Sequence, residues 1–170
     1  APAFVPVAGN LRERWYLELG QAARVGPALA ATPTDAGTPA FVAAYRALMQ
    51  ARQQRALGQD PAAALSQALT QARASGRRFV EWEVQLGAAA LGQAALAGDL
   101  QALAREARQH GFLAHEAAAR VLGTDGSEEA DWADAAAATA LLLDPAISPR
   151  WLYRADLWLA VVQDSSAADA

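Results

Sequence analysis

Few residues in this chain are of types that run reactions. It has two histidines, His110 and His115, and no cysteine. Without cysteine there is neither a disulfide nor a thiolate metal site. The histidines are five residues apart with Gly111 between them, so they belong to different helices and share no face. No other ligand type crowds them, and no metal site is expected. His110 is expected at a helix C-terminus, where partial positive charge is favoured. Glu81 and Glu83 lie two apart and do not face each other on a helix. Glu128 and Glu129 suit the first turn of a helix. No serine sits in a Gly-x-Ser-x-Gly setting, and no phosphate-cradling loop or dinucleotide fingerprint occurs. The expectation is a non-enzymatic protein with no catalytic residue and no cofactor. A site assembled from carboxylates by folding is the enzymatic alternative.

The chemistry that is abundant is that of arginine. All 14 cationic side chains are arginine, a usage bias that suggests a GC-rich bacterial genome. Arg46, Arg52, Arg55, Arg73, Arg77, Arg78, Arg105, Arg108 and Arg120 make the middle of the chain basic. Asp125, Glu128, Glu129, Asp131, Asp134, Asp144, Asp156, Asp164 and Asp169 make the last third acidic. Two readings follow: a basic groove for an acidic partner, or a solvated surface with pairing between the two halves. The net charge of −4 and the lack of a densely basic face interleaved with aromatics argue against direct nucleic-acid binding.

These residues must be positioned by helices. Apolar residues make up 54% of the chain and many are alanine, the best helix former, so the fold class is all-α. After an extended lead-in, Asn10 caps a helix over about residues 11–25, ended or kinked at Gly26-Pro27. Thr38 caps a second helix with Pro39 at its first position, running to Leu57 and stopped by Gly58. In it Phe41, Tyr45 and Leu48 share one face, and Arg46, Gln50, Gln53 and Gln54 the other. Asp60-Pro61 opens a third helix that ends at Gly76. The fourth, over about 77–97, is apolar nearly all round, with only Arg78, Glu81 and Gln85 on a polar strip, so it should be packed on most sides. Within it Gly87 and Gly92 are read as permitting close helix approach. Asp99 caps a fifth helix closed by Gly111, and a sixth follows over 112–122. Two acidic helices complete the chain, starting at Ser127 and Ser148-Pro149.

The tryptophans, Trp15, Trp82, Trp132, Trp151 and Trp158, each fall at apolar helical positions and are expected in the core. An exposed docking patch is the alternative for Trp151 and Trp158. No apolar run is long enough to span a bilayer and no signal peptide is visible, so the expected location is cytoplasmic. The opening Ala1-Pro2-Ala3 fits loss of an initiator methionine, excision from a longer chain, or signal cleavage. The expected organisation is one helical domain: lead-in and helix over 1–37, a repeat-like core over 38–122, and an acidic helical pair over 123–170.

The core repeats itself. Ala72-Arg73-Ala74-Ser75-Gly76 matches Ala107-Arg108-Gln109-His110-Gly111 at an offset of 35, and Glu81 matches Glu116 at the same offset. Leu57-Gly58-Gln59-Asp60 likewise resembles Ala97-Gly98-Asp99-Leu100. The run from Gly58-Gln59-Asp60-Pro61 to Gly76, then Leu91-Gly92, Gly98-Asp99-Leu100 and Gly111, resembles degenerate tetratricopeptide-like repeats. The style is that of the helical arms of large bacterial transcriptional activators, of the maltose-regulator and antibiotic-regulator types. The spacing of Trp82 to Leu86-Gly87 is wider than the family pattern, and the closing proline is missing.

The resemblance implies a right-handed stack of antiparallel hairpins, seven to eight helices in all, with a concave groove that holds a peptide or partner domain. It places Arg46, Gln50, Gln53, Arg78 and Gln85 along that groove, and it implies a scaffold or regulatory role. A small-molecule sensor, with ligand held around Tyr45, Phe79 and Trp82, is the alternative function.

Overall fold

This computed structural model describes residues 22–26, 37–124 and Ala137. The expected first helix, the acidic C-terminal pair, and Trp15, Trp132, Trp151 and Trp158 lie outside the described residues, Val25 and its neighbours excepted. Among the described residues the secondary structure is entirely helical. A short 3-10 turn spans Ala22–Arg24, followed by α1 (Ala40–Ala56), α2 (Ala62–Ala74), α3 (Arg78–Ala90), the single turn α4 (Ala94–Ala97), α5 (Leu100–Gln109) and α6 (Leu113–Leu122). The chain divides into two compact units, Ala1–Val84 and Gln85–Ala170.

In the first unit α1 packs on α2. Val42, Ala44, Ala47, Leu48, Met49 and Ala51 of α1 are buried, as are Ala64, Leu65, Ala68, Leu69 and Ala72 of α2. Alanine at so many of these positions lets two helices approach toward the close end of the usual range, about 8 Å between axes. Phe41 and Tyr45 are only half-buried, so the core face of α1 is rotated from the one that the aromatics suggested. Phe41 instead forms a platform for Arg77, whose guanidinium carbon lies 4.4 Å from the ring centroid. Thr38 is likewise displaced from its expected role. Pro39 itself occupies the N-cap position, extended at ψ 138°, and its carbonyl accepts from Val42 N and Ala43 N.

The fourth helix is shorter than the expected 77–97. It ends at Ala90, because Gly92 takes φ +73° and turns the chain out of the helix. Gln93 N donates to Ala88 O at 2.8 Å and Gly92 N to Ala89 O at 2.9 Å, the paired bonds of a left-handed helix stop. Nothing lies within 4 Å of where a Gly92 Cβ would stand, so this glycine serves backbone conformation and not close packing. The wide apolar face that the sequence suggested is present: Val80, Trp82, Val84, Leu86 and Ala88 are all buried.

In the second unit α5 packs on α6. Asp99 caps α5 as expected, its side chain accepting from Ala102 N at 2.9 Å. Leu100 at the start of α5 lies beside Gly123 at the end of α6, so the two helices run antiparallel. Leu103, Ala104 and Ala107 face Ala117, Ala118 and Ala119 in a core made largely of alanine. No helix among the described residues is long and apolar enough to cross a membrane.

Candidate functional site

The repeated sequence segments fold into repeated junctions. Arg73 lies in the last turn of α2 and Glu81 in the first turn of α3; Arg108 and Glu116 hold the same places in α5 and α6. Each charge therefore sits where its helix dipole favours it. Between them stands a left-handed glycine, Gly76 at φ +64° and Gly111 at φ +75°. The turn folds each arginine back onto the glutamate eight residues on: Arg73 Nε to Glu81 Oε1 is 3.1 Å, and Arg108 Nη1 to Glu116 Oε1 is 3.3 Å.

A second arginine completes each clasp. Arg78 pairs with Glu81 through Oε2, and Arg120 reaches Glu116 Oε1 at 3.5 Å. The glutamates are the enclosed members, with side chains 15% exposed at Glu81 and 6% at Glu116. Arg73 and Arg108 are the open ones, at 62% and 73%. Arg77, next to Arg78 in the chain, and Arg105, which lines a cleft between α5 and α6, make no ion pair among the described residues.

At the second junction these groups line an open cleft of about 380 Å³. It is lined by Gln101, Arg105 and Arg108 from α5 and by Glu116, Arg120 and Thr124 from the α6 side, with the small residues Ala104, Ala119 and Gly123 between them. That volume is in the range of sites that hold small ligands or peptide side chains, roughly 300–1,000 Å³. From Gln101 to Arg108 α5 rises about 1.5 Å per residue, which makes the cleft about 10 Å long. Three guanidiniums against one carboxylate leave its lining with an excess of two positive charges.

Arg108 and Arg120 address the same oxygen of Glu116, at distances longer than the 2.7–2.9 Å of a tight charge-assisted bond. A guanidinium has five N–H donors. Arg108 therefore retains donors for an incoming carboxylate while still holding Glu116.

The residues expected along a groove are placed as follows. Arg46, Gln50 and Gln53 share one face of α1, where Gln50 is exposed and the others are half-buried. Gln53 Nε2 donates to Ala22 O at 3.2 Å, which ties the 3-10 turn to α1. Arg78 is engaged with Glu81. Gln85 is half-buried, its Oε1 enclosed without a hydrogen-bond partner and its Nε2 3.1 Å from where a Gly98 Cβ would stand. Trp82 is core, 1% exposed, as expected. His110 occupies the C-cap of α5, also as expected, and His115 is buried edge-on to Phe112 with ring centroids 5.5 Å apart. No cluster of metal-ligating side chains occurs among the described residues.

The α5–α6 cleft was not among the expected sites, although its arginines were counted in the basic middle of the chain. The signal for it was the shared offset of Arg73, Gly76 and Glu81 with Arg108, Gly111 and Glu116. No protein-family model matches the chain, and no curated protein and no solved structure is significantly similar to it.

Proposed function

We propose that this is a non-enzymatic interaction domain that holds an acidic segment of a partner protein in the α5–α6 cleft. The observation that carries the reading is the lining itself: Arg105, Arg108 and Arg120 against the single carboxylate of Glu116, in a cleft open to solvent. Guanidinium groups suit planar carboxylates, and Arg105 is held by no carboxylate among the described residues. A regulatory role, with the domain as one arm of a transcription regulator, belongs to the same proposal and rests on the sequence resemblance. The groove of Arg46, Gln50, Gln53, Arg78 and Gln85 that the resemblance implies is a rival to the cleft, and a variant on α1 separates the two. A small-molecule sensor is the second reading, favoured by the cleft volume.

Fluorescence anisotropy with fluorescein-labelled hexaglutamate and hexaglutamine, titrated with the whole chain, tests the reading. Hexaglutamate binds and hexaglutamine does not. An exposed ion pair is worth up to about 1 kcal/mol, and reversing two charges both removes and repels. Arg105→Glu with Arg108→Glu therefore weakens binding at the cleft, followed at the Arg120 Nε–H signal of the ¹⁵N-labelled chain, at least about tenfold, equivalent to about 1.4 kcal/mol. Equal binding of the two peptides, or no effect of the double variant, overturns the proposal. Failure of both peptides together with a melting temperature raised by a free dicarboxylate such as glutarate favours the sensor.

A further inference from the structure

We infer that the domain carries a second acid-binding site of the same kind, at the α2–α3 junction in the first unit. This rests on the reading of the α5–α6 cleft just given, and on the internal repetition that places Arg73, Gly76 and Glu81 35 residues before Arg108, Gly111 and Glu116.

The two junctions share an arginine, a left-handed glycine and a glutamate at the same spacing, and each adds further arginines from its own positions. In each, an enclosed glutamate is bridged by two arginines: Glu81 by Arg73 and Arg78, Glu116 by Arg108 and Arg120. In each, the arginine from the preceding helix reaches across a left-handed glycine and is mostly exposed. Each has a third arginine with no carboxylate of its own among the described residues: Arg77, next to Arg78 in the chain, at the first and Arg105, in the cleft lining, at the second. Each junction thus counts three arginines against one glutamate, two of them paired with it.

The difference lies in what steadies the third arginine. Arg77 lies over the face of Phe41, which holds its guanidinium 4.4 Å from the ring centroid. A guanidinium stacked on a ring keeps its in-plane N–H donors available, and the stack orders them before a ligand arrives. The first site therefore has fewer side-chain torsions to freeze at the moment of binding. Its ligand is the same chemical class: carboxylates of an acidic peptide segment. A tripeptide is long enough for one junction, since three extended residues span about 10 Å.

The test is a titration of the ¹⁵N-labelled whole chain with triglutamate, and with triglutamine as control. The readout is the arginine Nε–H signals. Two groups should shift and saturate with triglutamate alone: Arg73, Arg77 and Arg78, and separately Arg105, Arg108 and Arg120. Arg55, exposed at the end of α1, should not move. Arg73→Glu with Arg77→Glu should raise the apparent Kd of the first group at least tenfold and leave the second within twofold. Arg105→Glu with Arg108→Glu should do the converse. Should charge reversal lower the melting temperature, Arg77→Gln and Arg105→Gln serve in its place, each weakening its own group about threefold.

Shifts confined to the second group overturn this inference and leave the proposed function standing. Shifts confined to the first overturn the assignment of the α5–α6 cleft. No shift in either group overturns both, as does an equal shift of all arginines, Arg55 included.

Discussion

Replacing Gly92 with alanine has an effect whose sign depends on the backbone alone. Were residues 77–97 one continuous helix, alanine at position 92 would be the better helix former and would stabilise the protein by about 0.8–1 kcal/mol. In the structure Gly92 has φ +73° and closes α3. An L-residue forced into that conformation costs about 1–2 kcal/mol. Alanine also restricts the unfolded chain, which offsets about 0.4–1 kcal/mol of that cost. No atom lies within 4 Å of the new Cβ, so no clash adds to it. The net expectation is a loss of about 1 kcal/mol, separated by about 2 kcal/mol from the continuous-helix expectation. Urea unfolding followed by far-ultraviolet circular dichroism resolves that gap, with the midpoint falling and the slope unchanged. Gly92→Asn should recover part of the loss, because asparagine enters the left-handed region more readily. A midpoint raised by Gly92→Ala would refute the helix stop.

Three further substitutions probe other parts of the account. Trp82→Ala removes a side chain that is 1% exposed and should cost about 3–5 kcal/mol in the same assay; a loss under about 1 kcal/mol would mean that Trp82 is not core. Asp99→Ala removes the acceptor of the Ala102 N–H and should cost about 1 kcal/mol, whereas Asp99→Asn should retain most of the stability. Gln53→Ala frees the Ala22 carbonyl and should cost about 1 kcal/mol, with faster amide exchange confined to residues 22–26 and the middle of α1; exchange unchanged at those residues would count against the tie.

Helix punctuation was legible where one residue decides it. Asp99 at an N-cap, His110 at a C-cap, and Gly58 and Gly111 as stops all follow from local chemistry. Gly92 was harder because apolar residues continue beyond it at helical spacing. Only the competition between a left-handed stop and a mid-helix glycine settles the matter, and Leu91 and Gln93 do not reveal which wins. Phe41 and Tyr45 misled for a different reason. Alanines fill half of the buried positions of α1, so its two aromatics mark a half-buried edge of the helix instead of its contact face.

The cleft is the most instructive miss. Arg108 and Glu116 are eight residues apart, a spacing that means nothing on one helix and becomes a contact only when a turn reverses the chain at Gly111. The repetition of that spacing at Arg73, Gly76 and Glu81 was visible in the sequence as an offset. Its meaning as a clasp required the antiparallel hairpin.

The central claim is that the α5–α6 cleft binds carboxylates by local charge. The whole chain carries −4, so bulk electrostatics opposes an acidic ligand and any affinity must come from a local arrangement. The most direct measurement is the ratio of hexaglutamate dissociation constants, read at the Arg120 Nε–H signal of the cleft, between the Arg105→Glu, Arg108→Glu variant and the unaltered protein. Arg46→Glu with Gln50→Glu, on α1, serves as the comparison. The account predicts a ratio of at least about ten for the cleft variant, the factor that about 1.4 kcal/mol produces, and little change for the α1 variant. A cleft variant that binds as tightly as the unaltered protein, or an α1 variant that loses binding instead, would contradict it.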